Sequence, residues 1–472
     1  RGLGDVYKRQ DLILLGSGPG GYVAAIRAAQ LGLNVACIEA EKLGGVCLNV
    51  GCIPTKALLS SASFVKEMKV AQGHGVSMEG VTVALGPAHE RSRKVADQLN
   101  KGVGHLFKKN GVTHIEGFGR LIAKGQVEVA GADGAKTVYE APHVVIATGS
   151  RPRDLPWLKI DEERVWSSTG ALFQKEAPKS LAVVGAGAVG MEFADMYDAY
   201  GSDVHVIEML DRVLPLEDKE SSAAVARSYK KRKIAIRTST TVLASEITES
   251  GVILNLSGKD GKEEVLEVER VLSAVGRVPN TEDIGLEELG VQLTEQGGFV
   301  QVDEQMRTNV EGIYAIGDVA GPPLLAHKAS HEGIVCVEHL AGEGHGTVDY
   351  ANIPNCTYSH PEVASVGLTE EQAKDAGHDI QVGKFPWMGI GRAVAAGDTE
   401  GFIKVIRDKE YSEILGAHIV GPHATELIAE FVVGRHLEAT VEEMEKAMHP
   451  HPTLSEGIAE GALAALGRAI HV

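Results

Sequence analysis

The sequence predicts an α/β chain with two Rossmann-like dinucleotide-binding units, closed by a carboxyl-terminal α+β module. Three observations predict it. Two separate runs read strand, glycine-rich turn, helix, strand. Each ends on an acid 23 residues after its first glycine, Glu39 after Gly16 and Glu208 after Gly185. From about Ala351 onward, strands and helices continue without any further glycine phosphate turn.

The first run is Leu12-Ile13-Leu14-Leu15, a turn carrying Gly16, Gly18 and Gly21, a helical pattern through Leu31, and a strand from Asn34 to Ile38. The second is Leu181 to Val184, a turn carrying Gly185, Gly187 and Gly190, a helix to about Tyr200, and a strand from Asp203 to Ile207. In such a unit the first glycine permits the tight turn and the second lets the backbone approach a pyrophosphate. The third lets helix and strand pack closely, and the helix N-terminus faces the phosphates. The closing acid is placed for a ribose hydroxyl. One glycine triplet can be a bare structural turn; two copies in the same setting imply two dinucleotides. At the second site Glu208 repels a 2′-phosphate, and Met209 and Leu210 offer no cation, although Arg212 is near. That favours NAD over NADP.

Further along, Val144 to Ala147 reads as a strand ending in a turn at Thr148-Gly149, and Arg151 to Pro156 reads as a linker. A similar strand from Arg270 to Ala274 ends at Gly276. Ile313 to Ile316 is a strand that delivers Gly317-Asp318 to a turn, with a helix predicted from near Ala326. Asp318 fits either a turn acid or a ligand for a ribityl hydroxyl. In the last module strands are predicted near 354–367, 380–386, 401–407 and 412–420, and helices near 369–376, 423–438 and 441–447.

Composition bounds the function. The chain has 472 residues, 44% of them apolar, enough for about three or four domains. Its 64 acidic and 46 basic residues give a net charge of −18, which argues against nucleic acid or an anionic membrane as partner. Residues 12 to 26 carry no charge, but their glycines and the early Arg27 exclude a membrane span. Five scattered cysteines fit a reducing compartment, and the cytoplasm is expected. Cys37, Cys336 and Cys356 lie in apolar runs and read as inert core thiols. Arg1 to Gln10 read as a non-native or poorly ordered leader.

Cys47 and Cys52 stand five positions apart in Gly44-Gly45-Val46-Cys47-Leu48-Asn49-Val50-Gly51-Cys52-Ile53-Pro54-Thr55-Lys56. Five residues of regular helix rise about 7.5 Å, beyond the roughly 7 Å at which a disulfide closes. A bridged segment must therefore be distorted. Gly51 and Pro54 can supply the distortion, leaving Cys52 at a helix N-terminus where the dipole and Lys56 favour a thiolate. Spacing alone fits a redox pair and two reduced buried thiols equally. The tail His449-Pro450-His451-Pro452-Thr453-Leu454-Ser455-Glu456 is similarly open. His451 is either a loop histidine at a helix cap or a general base oriented by Glu456.

Taken together, the cysteine run, the paired glycine turns, Ala147-Thr148-Gly149, Gly317-Asp318 and the histidine tail resemble the pyridine nucleotide–disulfide oxidoreductases, over essentially residues 11 to 472. The resemblance is to the branch that oxidises dihydrolipoamide. It implies FAD at Gly16, Gly18, Gly21 and Glu39 with Asp318 at the ribityl chain, and NAD at Gly185, Gly187, Gly190 and Glu208. Thr148, Gly149, Gly276 and Gly317 join these cofactor-binding positions, and no metal is implied. Cys47 would meet the substrate, Cys52 would face the flavin, and His451 with Glu456 would take the proton. Lys56 would lie near the flavin and pair with Glu192; the bland reading of both is a solvated helix charge.

The domains implied are 11–150 for the first part of the FAD domain, 151–280 for NAD, 281–350 completing the FAD site, and 351–472 for dimerisation. The base would come from the partner subunit, so a homodimer is implied. Its partners would be the lipoyl domains of 2-oxoacid dehydrogenase or glycine-cleavage complexes. The alternative is a disulfide reductase for another small thiol, like glutathione reductase. A scaffold or adhesin that merely retains a flavin fold would need neither the cysteine pair nor the tail.

Overall fold

A run such as Leu12-Ile13-Leu14-Leu15, apolar at every position, belongs to a strand covered on both faces, the situation of parallel sheets under helices. The computed structural model describes residues 8–344 and 346–471, and in it these four side chains are 0 to 2% exposed. The chain divides into two compact units.

The first unit comprises 8–57, 87–153 and 276–348. Its centre is a five-stranded parallel sheet in the order Ile313–Ala315, His143–Ile146, Leu12–Leu15, Val35–Glu39, Thr113–Glu116. The helix Pro19–Gln30 packs on the helix Ala326–Leu340. The two backbones meet where Gly20 faces the Ala329 carbonyl and Gly333 faces that of Gly20, and Arg27 bonds Glu338 at 2.8 Å. A second, smaller sheet of Lys8–Arg9, Lys136–Glu140, Gln126–Ala130 and Phe118–Ala123 was not anticipated. It corrects the leader expectation in part. Lys8 and Arg9 pair in parallel with Tyr139 and Glu140, and Gln10 is buried, its amide bonding the Glu140 carbonyl at 2.9 Å. Unpaired backbone groups of Lys136–Glu140 supply the physical reason. Arg1 to Tyr7 lie outside the described residues.

The second unit comprises 58–86, 154–275 and 349–471. The sequence reading had placed 58–86 with the first domain. A parallel sheet runs Val165–Trp166, Arg270–Ser273, Ser180–Val184, Asp203–Ile207, Ala235–Arg237. An antiparallel meander of Thr241–Ile247, Val252–Ser257 and Glu263–Val268 accompanies it. The last module holds a five-stranded antiparallel sheet, Asn355–Thr357, Glu362–Gly367, Ile414–Gly421, Phe402–Asp408, Ile380–Pro386. The strand predicted at 354–367 is thus two strands with a reversal between them. Helices Ala424–His436 and Glu456–Ala465 pack on this sheet; the latter was not predicted as a helix.

Charges are buried where this module meets the helix Lys219–Lys231. Lys404, 1% exposed, bonds Asp218 at 2.9 Å, Glu220 at 2.9 Å and Glu370 at 2.7 Å. Asp218 also caps that helix through the Glu220 amide. Next to it, burial and the Asp218 charge push the Glu217 carboxyl up to about 7, although a Ser365 hydrogen bond opposes them. A carboxyl raised in the folded state contributes no penalty below its ordinary value of 4.5. The penalty grows as pH rises toward about 7. Glu217→Gln is therefore expected to raise Tm above about pH 7.5, by the equivalent of up to about 3 kcal/mol, and to leave it nearly unchanged at about pH 4.5. Thermal melts at both pH values check this; a difference that does not widen with pH contradicts it.

Candidate active site

Both glycine turns have one geometry, residue for residue. Gly16 and Gly185 have φ of +100° and +99°, and a Cβ on either would strike a facing carbonyl, of Ala147 or Ala274. A Cβ on Gly21 would strike the Gly16 carbonyl, and one on Gly190 that of Gly185. Gly18 and Gly187 instead face open space, with nothing within 4 Å of a built Cβ. They stand at the N-caps of helices Pro19–Gln30 and Ala188–Ala199, with no side-chain cap bond. Helix amides without a protein cap, reached past a glycine with room above it, fit a pyrophosphate.

The acids are held alike. Glu39 accepts the Ser17 amide and hydroxyl at 2.8 and 2.6 Å on one oxygen and the Glu41 amide at 2.9 Å on the other. Glu208, 8% exposed, accepts the Ala186 amide at 2.7 Å and the Leu210 amide at 2.8 Å. Each carboxylate keeps lone-pair capacity for a ribose hydroxyl, Glu39 on the oxygen that accepts only the Glu41 amide and Glu208 on both. The neighbouring cations are engaged elsewhere: Arg212 bonds Glu371 at 3.0 Å and Arg237 bonds Glu264 at 2.7 Å.

The cysteine segment is two helices rather than one distorted helix. Gly45–Val50 ends at Gly51, and Cys52 opens the helix Cys52–Val70. The break brings the Cα atoms of Cys47 and Cys52 to 4.6 Å and the two are disulfide-bonded. Gly51 is required by crowding, since a Cβ there would stand 2.9 Å from the Val46 carbonyl oxygen. The segment is tied to the first glycine turn. Gly44 donates its amide to the Ser17 carbonyl at 3.0 Å, and a Cβ on Gly45 would stand 2.8 Å from the Gly18 Cα. Asn49 bonds the carbonyls of Leu43 and Gly45, each at 2.9 Å. Lys56 lies in the first turns of the helix that Cys52 opens.

The same unit gathers Thr148, Gly149, Gly276, Gly317 and Asp318, with residues the sequence reading passed over. The Thr148 hydroxyl donates to the Asn280 carbonyl at 2.7 Å. Arg151, read as linker, belongs to the strand Ser150–Pro152, which pairs antiparallel with Arg277–Pro279 just after Gly276. Arg277 donates to the Ser150 hydroxyl at 2.7 Å, and that hydroxyl donates to Asp318 at 2.5 Å. Gly317 is held from behind: its amide donates to Glu332 at 2.7 Å and its carbonyl accepts from Lys328 at 3.2 Å. No local pattern marks Ser150 or Glu332. Only Lys328, a cation on the apolar side of a helical pattern, left a readable signal.

The second unit holds Gly185, Gly187, Gly190, Glu192, Glu208, His451 and Glu456. Glu192, 4% exposed on the helix Ala188–Ala199, accepts the Tyr358 amide at 3.0 Å. His451 Nδ1 lies 2.8 Å from Glu456 Oε1, and the Thr453 amide donates to the other oxygen at 2.9 Å. Burial alone would raise the Glu456 carboxyl; the His451 hydrogen bond, the Thr453 amide and nearby imidazole charge outweigh it and hold the group below the usual carboxylate range. A carboxylate at Nδ1 favours the proton there, which leaves the lone pair of a neutral ring, 77% exposed, on Nε2. His449 is the contrasting case: 7% exposed, it is held by Glu430 at 2.5 Å and the Ala447 carbonyl at 2.9 Å.

Comparison with known proteins agrees over nearly the whole length. Residues 10–333 match the family described as Pyridine nucleotide-disulphide oxidoreductase, and residues 353–462 match its dimerisation domain. A dihydrolipoyl dehydrogenase of Zymomonas mobilis is 46% identical over 462 residues, 98% of this chain and 99% of that protein. One of Rhizobium etli is 46% identical over 479 residues, with the same coverage. The crystal structure of LpdA from Mycobacterium tuberculosis superposes with a TM-score of 0.90 at 29% identity, covering 96% of this chain and 98% of that one. Membership implies binding of FAD and of NAD(P), and the glycine turns fit both. The chain belongs to the pyridine nucleotide-disulphide oxidoreductase family.

Proposed function

We propose that the chain is a dihydrolipoyl dehydrogenase that oxidises protein-bound dihydrolipoamide with NAD⁺ as acceptor. The observation that carries this reading is the Cys47–Cys52 disulfide hung directly on the first glycine turn through Gly44, Gly45 and Ser17. FAD, when bound, supplies the two-electron link between dithiol and nicotinamide. Gly16, Gly18, Gly21 and Glu39 would hold it, with Thr148, Gly149, Gly317 and Asp318 around the ribityl region. Gly185, Gly187, Gly190, Glu208 and Gly276 would serve NAD.

The chain's own residues account for the thiol chemistry. His451 Nε2 takes the proton of one substrate thiol, and that thiolate attacks Cys47 Sγ, releasing Cys52 as a thiolate. The second substrate thiol displaces Cys47, its proton passing to the departing Cys47 Sγ, and the substrate leaves as a cyclic disulfide. Both substrate sulfurs are then oxidised by one bond and both cysteines reduced. Cys52, heading the helix Cys52–Val70, is the better stabilised thiolate. Lys56 and Glu192 would support the flavin side.

The domain limits 11–150 with 281–350 for FAD, 151–280 for NAD and 351–472 for dimerisation remain part of this reading. So does the homodimer in which His451 serves the partner's disulfide, with lipoyl domains of 2-oxoacid dehydrogenase or glycine-cleavage complexes as substrates. We place the enzyme in the cytoplasm, which suits the three free cysteines Cys37, Cys336 and Cys356. Steady-state assay tests the reading. Dihydrolipoamide with NAD⁺ is expected to exceed the same dithiol with NADP⁺ by on the order of 10²-fold in kcat/KM, because Glu208 opposes a 2′-phosphate. Preferential turnover of glutathione disulfide with NADPH would replace this reading by the small-thiol reductase.

A further inference from the structure

The helix Glu456–Ala465 carries two acids one turn apart, and each holds an imidazole. Glu456 holds His451 as above. Glu460, only 5% exposed, bonds His471 Nδ1 at 2.6 Å through one oxygen and accepts the Ile470 amide at 3.2 Å through the other. Residues four apart share a helix face, so the second pair lies on the side of the helix that carries the base. A positive charge on His471 acts in the direction that keeps Glu456 ionised, as the smallest of the influences on it. The His471 ring is 66% exposed, so it exchanges protons freely with solvent.

A buried carboxylate needs a cation or hydrogen-bond donors, and here the donors are a main-chain amide and an imidazole rather than lysine or arginine. Of these cations only an imidazole can lose its charge without strongly basic conditions. Other charged groups on the packed elements are engaged away from it. Lys384 bonds Glu220, and Lys404 bonds Asp218, Glu220 and Glu370. Arg407 bonds the Ala465 carbonyl and Ser412, while Asp408 accepts the Glu410 and Tyr411 amides. Glu442 accepts from Ser412 and Glu443 from Thr440, and His449 bonds Glu430. Among the described residues, Glu445 and Lys446 make no bond to either pair.

We propose that Glu460 and His471 form a second imidazole–carboxylate pair that sets the proton affinity of the His451–Glu456 base, and with it the pH range of dithiol oxidation. With His471 protonated, the second pair is neutral overall. Once His471 loses its proton, Glu460 remains as an uncompensated negative charge beside the dyad and strengthens proton binding there. His471 is thus a positioning residue, acting on the dyad through charge alone. This inference rests on the reading of His451 as the base.

The test uses the FAD-loaded homodimer. kcat/KM for dihydrolipoamide is measured from about pH 5.5 to about pH 9, at ionic strengths of about 0.05 and about 0.5 M, for wild type, His471→Gln, His471→Lys and His451→Gln. His471→Gln is expected to move the acid limb to higher pH by a few tenths of a unit at low salt. The shift should shrink by half or more at high salt, because exposed charges are screened. His471→Lys, a cation at every pH tested, should return the limb to the wild-type position or below it. Superimposed profiles, a shift indifferent to salt, or one to lower pH in His471→Gln would overturn the proposal while a dead His451→Gln keeps the base assignment. Wild-type turnover by His451→Gln would overturn both.

Discussion

A Cys52→Ser variant, purified with its flavin and reduced anaerobically by two electrons, will lack the long-wavelength thiolate-to-flavin charge-transfer band expected of the wild type. Its oxidation of dihydrolipoamide will fall by at least about 10³-fold, the scale on which loss of a covalent participant acts. The assignment follows from the backbone. Cys52 is the first residue of the long helix Cys52–Val70, where the unpaired amides and helix dipole stabilise a thiolate. Cys47 sits inside the short helix Gly45–Val50, with Val46 beside it 40% exposed. In the proposed mechanism it is the sulfur offered to an incoming dithiol. Cys47→Ser should therefore lose turnover equally and yet keep a charge-transfer band from the remaining Cys52 thiolate. A band that persists in Cys52→Ser and vanishes in Cys47→Ser would reverse the order of the two sulfurs.

Replacing His451 by glutamine should lower kcat for dihydrolipoamide by about 10² to 10⁴-fold, the range for a positioned general base. NADH-dependent reduction of an artificial one-electron acceptor, which needs no thiol deprotonation, should stay within about twofold. Glu456→Gln removes only the group that fixes the tautomer and is expected to cost less, about ten- to a hundredfold. The geometry supports the ranking. Glu456 is engaged at both oxygens, by His451 and by the Thr453 amide, and its carboxyl is held ionised across the neutral range. A His451→Gln enzyme with normal dithiol turnover, or one that loses both activities together, would remove the histidine from the base role.

Much of the site is legible in the chain because its chemistry is local. The two glycine turns share one backbone and one closing acid: Gly21 and Gly190 avoid the carbonyl of a glycine in the same turn, whereas Gly16 and Gly185 avoid the carbonyls of Ala147 and Ala274, which distant strands bring up. A Cys47–Cys52 bridge at that spacing likewise needs a break in the helix, and Gly51 is where that break falls. The His451–Glu456 pair is readable for the same reason, five residues and one turn apart. The strand expected across 354–367 failed because a reversal at His360-Pro361 is invisible to a pattern of apolar residues.

What the sequence by itself determined is the number of glycine-turn units and their closing acids; it brought Cys47 with Cys52 and His451 with Glu456 forward as candidates. Only the tertiary structure decided which side chains support them. Ser150 lies 168 residues from Asp318 and 127 from Arg277, and Lys404 lies 186 from Asp218. The pairing of Lys8 and Arg9 with Tyr139 and Glu140, and of Glu460 with His471, is of this kind too. Such contacts arise from burial, which leaves each polar group to find whatever partner the packed elements bring to it. Propensity and spacing govern a turn; the satisfaction of buried charge is settled only when the whole chain has folded around it.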